Sequence, residues 1–150
     1  MKKLSLLQWI DIPPVWLMGA LAITYVWPFD VSLGAWSHGL GTAIIVVAAL
    51  LIVAALFEFQ RHKTTPVPHM EADRLITSGI FALTRNPIYL ADLLLLAGFS
   101  LRWGAPIGFL LLPLLYDVLT RRFIRPEEDR LSVSFGMQFK QYQAKTRRWI

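Results

Sequence analysis

Two long intervals without charged side chains constrain this fold more than any other feature of the chain. No side chain between Asp11 and Asp30 carries a full charge, and a single histidine is the only titratable group between Asp30 and Glu58. Each interval can supply the roughly 20 apolar residues that a bilayer-spanning helix requires. The sequence therefore predicts two membrane spans, at residues 13–29 and 40–57.

The second half of the chain contains two shorter apolar segments, residues 88–101 and 105–120, joined by a tight turn at residues 102–106. Asp92 and Asp117 interrupt their apolar character. The segments predict a helical hairpin. Because 55% of the 150 residues are hydrophobic and only 17% are charged, we expect an all-α integral membrane protein of one domain with about four transmembrane helices.

The sequence favours neither a cleaved signal peptide nor a disulfide or metal site. Lys2 and Lys3 precede an apolar stretch, as in a cleaved signal peptide, but the stretch is longer than a typical signal and opens with Pro13 and Pro14 like a helix start. Cysteine is absent, which excludes disulfides and thiolate metal ligands. The three histidines show no paired ligand spacing, so no metal site is predicted.

Basic residues are distributed unevenly between the two sides of the predicted membrane. Four spans place the N-terminus, residues 60–86 and the C-terminal tail on one side, and all of the 15 lysines and arginines except Arg102 lie there. The positive-inside rule assigns that side to the cytoplasm. The net charge of +5 has the same origin, and its spacing does not indicate nucleic-acid binding.

A polar segment, residues 60–86, leads into the first foot of the predicted hairpin. Pro87 suits the first position of a helix, and Asn86 is placed to cap it. A plain helix start explains these two residues equally well, and Tyr89 has an alternative role as an interfacial anchor.

The second foot of the hairpin carries Glu127 and Glu128, just after Pro126. These residues predict an amphipathic helix that runs to about Lys145, and acidic residues in a first helical turn are also ordinary caps. Because both feet return to one membrane face, we expect them to fold against each other and form a polar pocket beside the lipid.

These elements resemble, in order and spacing over residues 64–150, the isoprenylcysteine carboxyl methyltransferase family and its relatives among membrane phospholipid methyltransferases. The similar elements are residues 75–81, the Arg-Asn-Pro-Ile-Tyr sequence at 85–89, Pro-Glu-Glu at 126–128, Phe-Gly at 135–136, and Arg-Arg-Trp at 147–149. The resemblance implies one membrane domain in which residues 1–59 form two N-terminal spans and residues 60–150 form a methyltransferase-like core.

The resemblance also implies a bound cofactor, S-adenosyl-L-methionine, with S-adenosyl-L-homocysteine as the product. The positions that align with the family's cofactor contacts are Asp73, Arg74, Leu75, Ile76, Gly79, Phe81, Arg85, Asn86, Pro87, Ile88, Tyr89, Glu127 and Glu128. Carboxylates suit the cofactor's ammonium and ribose hydroxyls, whereas an arginine or helix-start amides suit its carboxylate.

Two positions depart from the family pattern. Asn86 replaces a histidine, and an amide can bind a ligand but does not titrate near neutral pH. A catalytic arginine of the family aligns with Phe123, so the expected catalytic residues are the neighbouring Arg122 and, second, Arg125. Contact of these arginines with lipid headgroups is the competing explanation.

The function implied is methyl transfer to a small lipophilic or lipid-embedded acceptor, a carboxylate, an amine or a hydroxyl. The lipid bilayer is the expected partner, and the short chain favours a bacterial inner membrane. Two alternatives stay open: a noncatalytic assembly or lipid-binding protein, and a nicotinamide-dependent reductase of related fold. Asp92 is expected to face the protein interior or a water-filled cavity. Glu58 is expected to lie at the membrane interface, and a position that faces the substrate is the alternative.

Overall fold

The computed structural model describes residues 11–27, 29–31, 33–64 and 74–150. In these ranges the chain is helical and contains no strand. The helices are α1 (Pro13–Val26), α2 (Ala35–His62), α3 (Pro87–Trp103), α4 (Pro106–Val118) and α5 (Arg125–Lys145), with a 3₁₀ turn at Gly79–Ala82 and a π-helical segment at Leu119–Ile124. The all-α class expected from the sequence is therefore observed throughout the described ranges.

Helix α2 is, among the described residues, the helix that is long and apolar enough to cross a membrane. Its 28 residues have a mean hydropathy of 2.9 in their most apolar window and extend about 42 Å at 1.5 Å per residue. Leu50, Val53 and Phe57 are each 62% exposed, as expected for side chains that face lipid. Helix α1 is apolar but shorter, and the total of about four spans stays a prediction.

The chain forms two compact units, each built from two separate stretches of sequence. The first unit comprises Met1–Val46 and Asp92–Asp117, and the second comprises Val47–Ala91 and Val118–Ile150. Helices α2 and α3 each contribute residues to both units.

In the first unit, α2 and α3 approach closely where both carry glycine. A Cβ atom on Gly41 would lie 2.6 Å from the carbonyl oxygen of Gly98, and one on Gly98 would lie 2.8 Å from Ile45 Cγ1. Small residues permit such backbone contact between membrane helices. Arg102 Nη1 donates a hydrogen bond to Thr42 Oγ1 at 2.6 Å next to this crossing.

Helices α3 and α4 occupy the two short apolar segments of the predicted hairpin. Their turn is held by a hydrogen bond from the amide of Ala105 to the carbonyl of Ser100 at 3.0 Å. Asp92 belongs to the first unit and is only 4% exposed, which agrees with its expected interior position.

Helix α5 is continuous with the π-helical segment before it, whereas the sequence predicted a separate helix that starts after Pro126. Proline lacks the amide that would bond to the carbonyl of Arg122, so the preceding turn cannot keep regular α pairing. The amide of Arg125 instead bonds to the carbonyl of Thr120, five residues back, which is the π pattern. The helix ends at Lys145, as predicted, but it is kinked at Gly136, whose backbone angles (φ 48°, ψ −115°) are not helical.

Candidate functional site

Tyr89 and Glu127, from the two feet of the predicted hairpin, are joined by a hydrogen bond. The Tyr89 hydroxyl donates to Glu127 Oε2 at 3.0 Å, and the ring of Tyr89 stacks on Phe123 with 6.5 Å between centroids. Pro87 begins α3 and so places Tyr89 in its first turn, while the helix that follows the π-helical segment carries Glu127. The two motifs therefore meet within the second unit.

The electrostatic environment of Glu127 differs from that of an exposed carboxylate. Its burial raises its pKa above the ordinary value, and the neighbouring charge of Glu128 acts in the same direction. The hydrogen bond from Tyr89 and the charge of Arg130 oppose this shift of the pKa. In the described part of the chain, Tyr89 is the one hydrogen-bond partner of this carboxylate, so Glu127 keeps the capacity to accept further bonds.

Glu128 lies between two arginines and has a different environment. Arg148 holds it with two hydrogen bonds, Nε to Oε1 at 3.1 Å and Nη2 to Oε2 at 2.6 Å, and Arg85 Nη1 lies 2.9 Å from Oε1. Two guanidinium groups and one carboxylate leave a net charge of +1. Nε and Nη1 of Arg85 are buried and have no hydrogen bond of good geometry within the described residues.

Asn86 fixes the backbone that follows α5. Its Nδ2 donates to the carbonyl oxygen of Arg148 at 2.9 Å, and the Thr84 hydroxyl donates to the same oxygen at 3.3 Å. The amide of Arg85 bonds to the carbonyl of Arg147 at 3.1 Å. The side-chain amide at the position where the resemblance implies a histidine is thus bound to the carbonyl of Arg148.

Phe81 belongs to a small apolar cluster beneath the Gly79–Ala82 turn. It packs with Ala55 and Ile76, and its ring meets Phe59 edge-on at 5.4 Å. The hydroxyl of Tyr142 donates to the carbonyl of Phe81 at 2.6 Å, and burial raises the pKa of that hydroxyl. Helix α5 thereby holds the turn that carries Phe81.

The remaining predicted residues have varied surroundings. Pro87 is buried, Leu75 and Ile88 are partly buried, and Arg74 and Gly79 are exposed. Asp73 lies outside the described residues. Of the expected catalytic residues, Arg122 and Arg125 are exposed, whereas Phe123 is 2% exposed.

Arg148 and Tyr142 hold the predicted motifs together, although neither is among the site residues predicted from the sequence. For Arg148 the available signal was the Arg-Arg-Trp sequence at 147–149, which is one of the elements that carry the resemblance. Its arginines were used only to predict the membrane topology. Glu58 is buried within the protein, at 4% exposure, and its expected position at the membrane interface stays a prediction.

A cleft of about 340 Å³ lies in the first unit and contains none of the predicted contact residues. It is lined by Thr24, Tyr25, Trp27, Asp30, Trp103 and Ala105. The convergence of hydrogen bonds and charges around Glu127 and Glu128 is the stronger indication of a functional site. Over the described ranges, no three histidine, aspartate or glutamate side chains group in the manner of a metal site.

A family model described as phospholipid methyltransferase matches residues 36–138, which is more than half of the chain. The match includes Tyr89 and Glu127 and ends before Arg148. No curated protein and no solved structure gives a significant match.

Proposed function

This chain belongs to the phospholipid methyltransferase family, and on that premise we propose that it is an integral membrane enzyme that uses S-adenosyl-L-methionine. Its acceptor is a small lipophilic or lipid-embedded molecule that presents a carboxylate, an amine or a hydroxyl. The family resemblance drawn from the sequence is confirmed by the match. The cofactor, the acceptor and the residue roles below are our proposals.

The observation that carries the proposal is the hydrogen bond between Tyr89 and Glu127. These residues belong to the two motifs that the resemblance assigns to one cofactor. A carboxylate that accepts one hydrogen bond, and whose pKa is raised by burial, is suited to ligand hydroxyls or to an ammonium group.

The residues around Glu127 and Glu128 fit the chemical groups of this cofactor. Glu127 suits the ribose hydroxyls or the amino group. The ring of Phe81 is 8% exposed, so it has little surface left for the adenine contact that the resemblance implies. Among the described residues, Arg85 has a buried Nε without a hydrogen bond, while its Nη1 pairs with Glu128 at 2.9 Å. The cluster has a net charge of +1, which suits the cofactor's carboxylate. Arg85 and Arg148 neutralise Glu128. We therefore assign Glu128 to the orientation of Arg85 and not to direct contact with the cofactor.

Positioning and exclusion of water are the main contributions of this chain to methyl transfer. When bound, S-adenosyl-L-methionine supplies a methyl group attached to a positively charged sulfur. Glu127 holds the ribose hydroxyls or the amino group of the cofactor, and Arg85 holds its carboxylate. The stacked rings of Tyr89 and Phe123 keep an apolar surface beside these groups. The exposed Arg122 and Arg125 hold an anionic group of the acceptor or of a neighbouring lipid.

The proposed setting is the cytoplasmic face of a bacterial inner membrane, with both termini in the cytoplasm. The distribution of lysine and arginine supports this orientation. The cofactor then enters from the aqueous side, and the acceptor enters from the bilayer.

Calorimetric titration of the purified protein with S-adenosyl-L-homocysteine tests the proposal. Glu127→Ala removes a charged hydrogen-bond acceptor, so we expect the dissociation constant to rise about tenfold or more. Tyr89→Phe leaves the carboxylate in place, and a smaller rise of about threefold is expected.

Asp129→Asn is the matched control, because Asp129 is exposed in the same helical turn and loses the same charge. Unchanged affinity in both Glu127→Ala and Tyr89→Phe would contradict the assigned residues. Absence of any binding by the native protein, together with stabilisation by reduced nicotinamide dinucleotide in a thermal-shift screen, would favour the reductase alternative.

A further inference from the structure

We propose that Glu58 is a positioning residue, which fixes the segment of residues 76–86 through Ser78 and Gly79 and so sets the affinity for the cofactor. This inference rests on the function proposed above. It assigns a role to a buried charge near the end of α2 that neither the resemblance nor the proposed chemistry uses.

Glu58 is buried and engaged by a hydroxyl far away in the sequence. Its side chain is 6% exposed, and the Ser78 hydroxyl donates to Glu58 Oε2 at 2.6 Å. A carboxylate near the end of an apolar helix is costly to bury unless strong hydrogen bonds compensate for the lost hydration. The bond to Ser78 supplies one such contact, and it ties α2 to the start of the Gly79–Ala82 turn.

Gly79 is needed because Glu58 lies directly against its backbone. A Cβ atom at position 79 would lie 2.5 Å from Glu58 Oε1 and 2.6 Å from Cδ, and the residue has a positive φ of 57°. Both features require glycine. The predicted cofactor role of Gly79 therefore has a second physical explanation, the close approach of Glu58.

His62 and Arg61 complete the surroundings of the carboxylate. His62 Nε2 lies 2.9 Å from the Ser78 hydroxyl and 3.4 Å from Glu58 Oε2. Arg61 Nη1 lies 3.7 Å from Oε1, but its side chain is 65% exposed, so its contribution is small. The short bond to Ser78 is thus the main polar link between α2 and residues 76–86, beside the apolar packing of Phe81 on Ala55 and Phe59.

Side-chain hydrogen bonds from α2 and from α5 hold the front half of the segment of residues 76–86, whereas its end is bonded to residues 147–148. Glu58 binds its beginning at Ser78, and the hydroxyl of Tyr142 binds the carbonyl of Phe81 in its middle. The amide of Phe81 bonds to the carbonyl of Ser78 at 3.1 Å, which transmits the position of Ser78 to the aromatic ring. Loss of the bond to Glu58 leaves the turn with its hydrogen bond to α5 and with apolar packing as its contact with α2.

Binding of S-adenosyl-L-homocysteine, measured by calorimetry on the full chain, tests this role. We expect Glu58→Ala and Ser78→Ala each to raise the dissociation constant about tenfold, because each removes a hydrogen bond to a charged group. Glu58→Gln keeps an oxygen that accepts from Ser78, so its dissociation constant should stay within about threefold of the native value. The double variant Glu58→Ala/Ser78→Ala should be no weaker than Glu58→Ala, since both changes break one bond.

Hydrogen exchange of the unliganded proteins gives a second measurement that does not need a ligand. The amides of Phe81, Leu83 and Thr84 bond to Ser78 or Ile80, and they should exchange faster in Ser78→Ala than in the native protein. Arg61→Gln is the control and should match the native protein in both measurements.

The outcomes separate this inference from the proposed function. Native protein that binds S-adenosyl-L-homocysteine, with unchanged affinity in Glu58→Ala and Ser78→Ala, overturns the positioning role alone. Equal losses in Glu58→Gln and Glu58→Ala also overturn it, because rescue by the remaining oxygen would then be absent. Native protein that binds no S-adenosyl-L-homocysteine overturns the proposed function and this inference together. If Glu58→Ala does not fold, Ser78→Ala and its exchange rates decide the question.

Discussion

The hydroxyl of Tyr89 and the carboxylate of Glu127 lie 3.0 Å apart although 38 residues separate them in the sequence. One stands in the first turn of α3 and the other in the first turn of α5. The hydrogen bond favours the charged form of Glu127, while burial favours the neutral form. This balance makes the carboxyl group sensitive to changes at Tyr89.

Glu127 should make stability depend on pH. Because its pKa in the folded protein is raised above 4.5, the folded state binds the proton more tightly than the unfolded chain. The free energy of unfolding should therefore fall as pH rises from 4.5 through the folded pKa. Glu127→Gln lacks this proton, so it should gain stability relative to the native protein as pH rises, measured by denaturant unfolding in detergent. A constant difference between the two proteins across the series would contradict the raised pKa.

Arg148 should stabilise the fold more than its neighbour Arg147. Arg148→Gln removes both hydrogen bonds to Glu128, and we expect a loss of about 1 to 2 kcal/mol, moderated because about a third of the side chain is exposed. Arg147→Gln removes the same charge from an exposed side chain and should change stability little. Thermal unfolding of both variants provides the comparison, and equal shifts would argue against the specific role of Arg148.

Asn86 should be required as a hydrogen-bond donor. Asn86→Asp has nearly the same shape but presents an oxygen to the carbonyl of Arg148, which now accepts from Nδ2 at 2.9 Å. At neutral pH we expect a loss of about 1 to 3 kcal/mol, since two acceptors would face each other in a buried position. Gln138→Glu makes the same chemical change at an exposed position and serves as the control. An unaltered melting temperature in Asn86→Asp would show that the amide does not hold this backbone.

The crossing of α2 and α3 in the first unit should not tolerate a side chain. Gly41→Ala brings a Cβ atom to within 2.6 Å of a backbone oxygen, and the resulting strain should cost about 1 to 3 kcal/mol. Gly39→Ala, two residues earlier in the same helix, meets nothing within 4 Å and should be neutral or stabilising by up to about 1 kcal/mol. Thermal unfolding in detergent distinguishes the two, and equal behaviour would contradict the close approach.

Much of the helical organisation was predictable from the sequence, because long charge-free intervals and prolines carry strong physical constraints. The absence of charge predicted the regions of α1 and α2, and Pro87 marked the start of α3. The continuity of α5 with the π-helical segment was not predicted. A proline is usually taken as a break, whereas here the helix widens by one residue to accommodate it.

The pairing of side chains was less predictable than the helices. The meeting of Tyr89 with Glu127 was expected from their positions at the two feet of the hairpin. The contacts of Arg148 with Glu128 and of Ser78 with Glu58 join residues 20 positions apart. They depend on how the backbone folds back, which no local periodicity encodes, so the sequence predicts only a topological role for Arg148 and an interfacial position for Glu58.

The contact between Glu58 and Gly79 should couple the substitutions that evolution accepts at these two positions. Any side chain at 79 would occupy the space that the carboxylate at 58 fills. Related chains should therefore either retain the glutamate–glycine pair or replace both members together, and an alignment in which the two positions vary independently would count against this geometry.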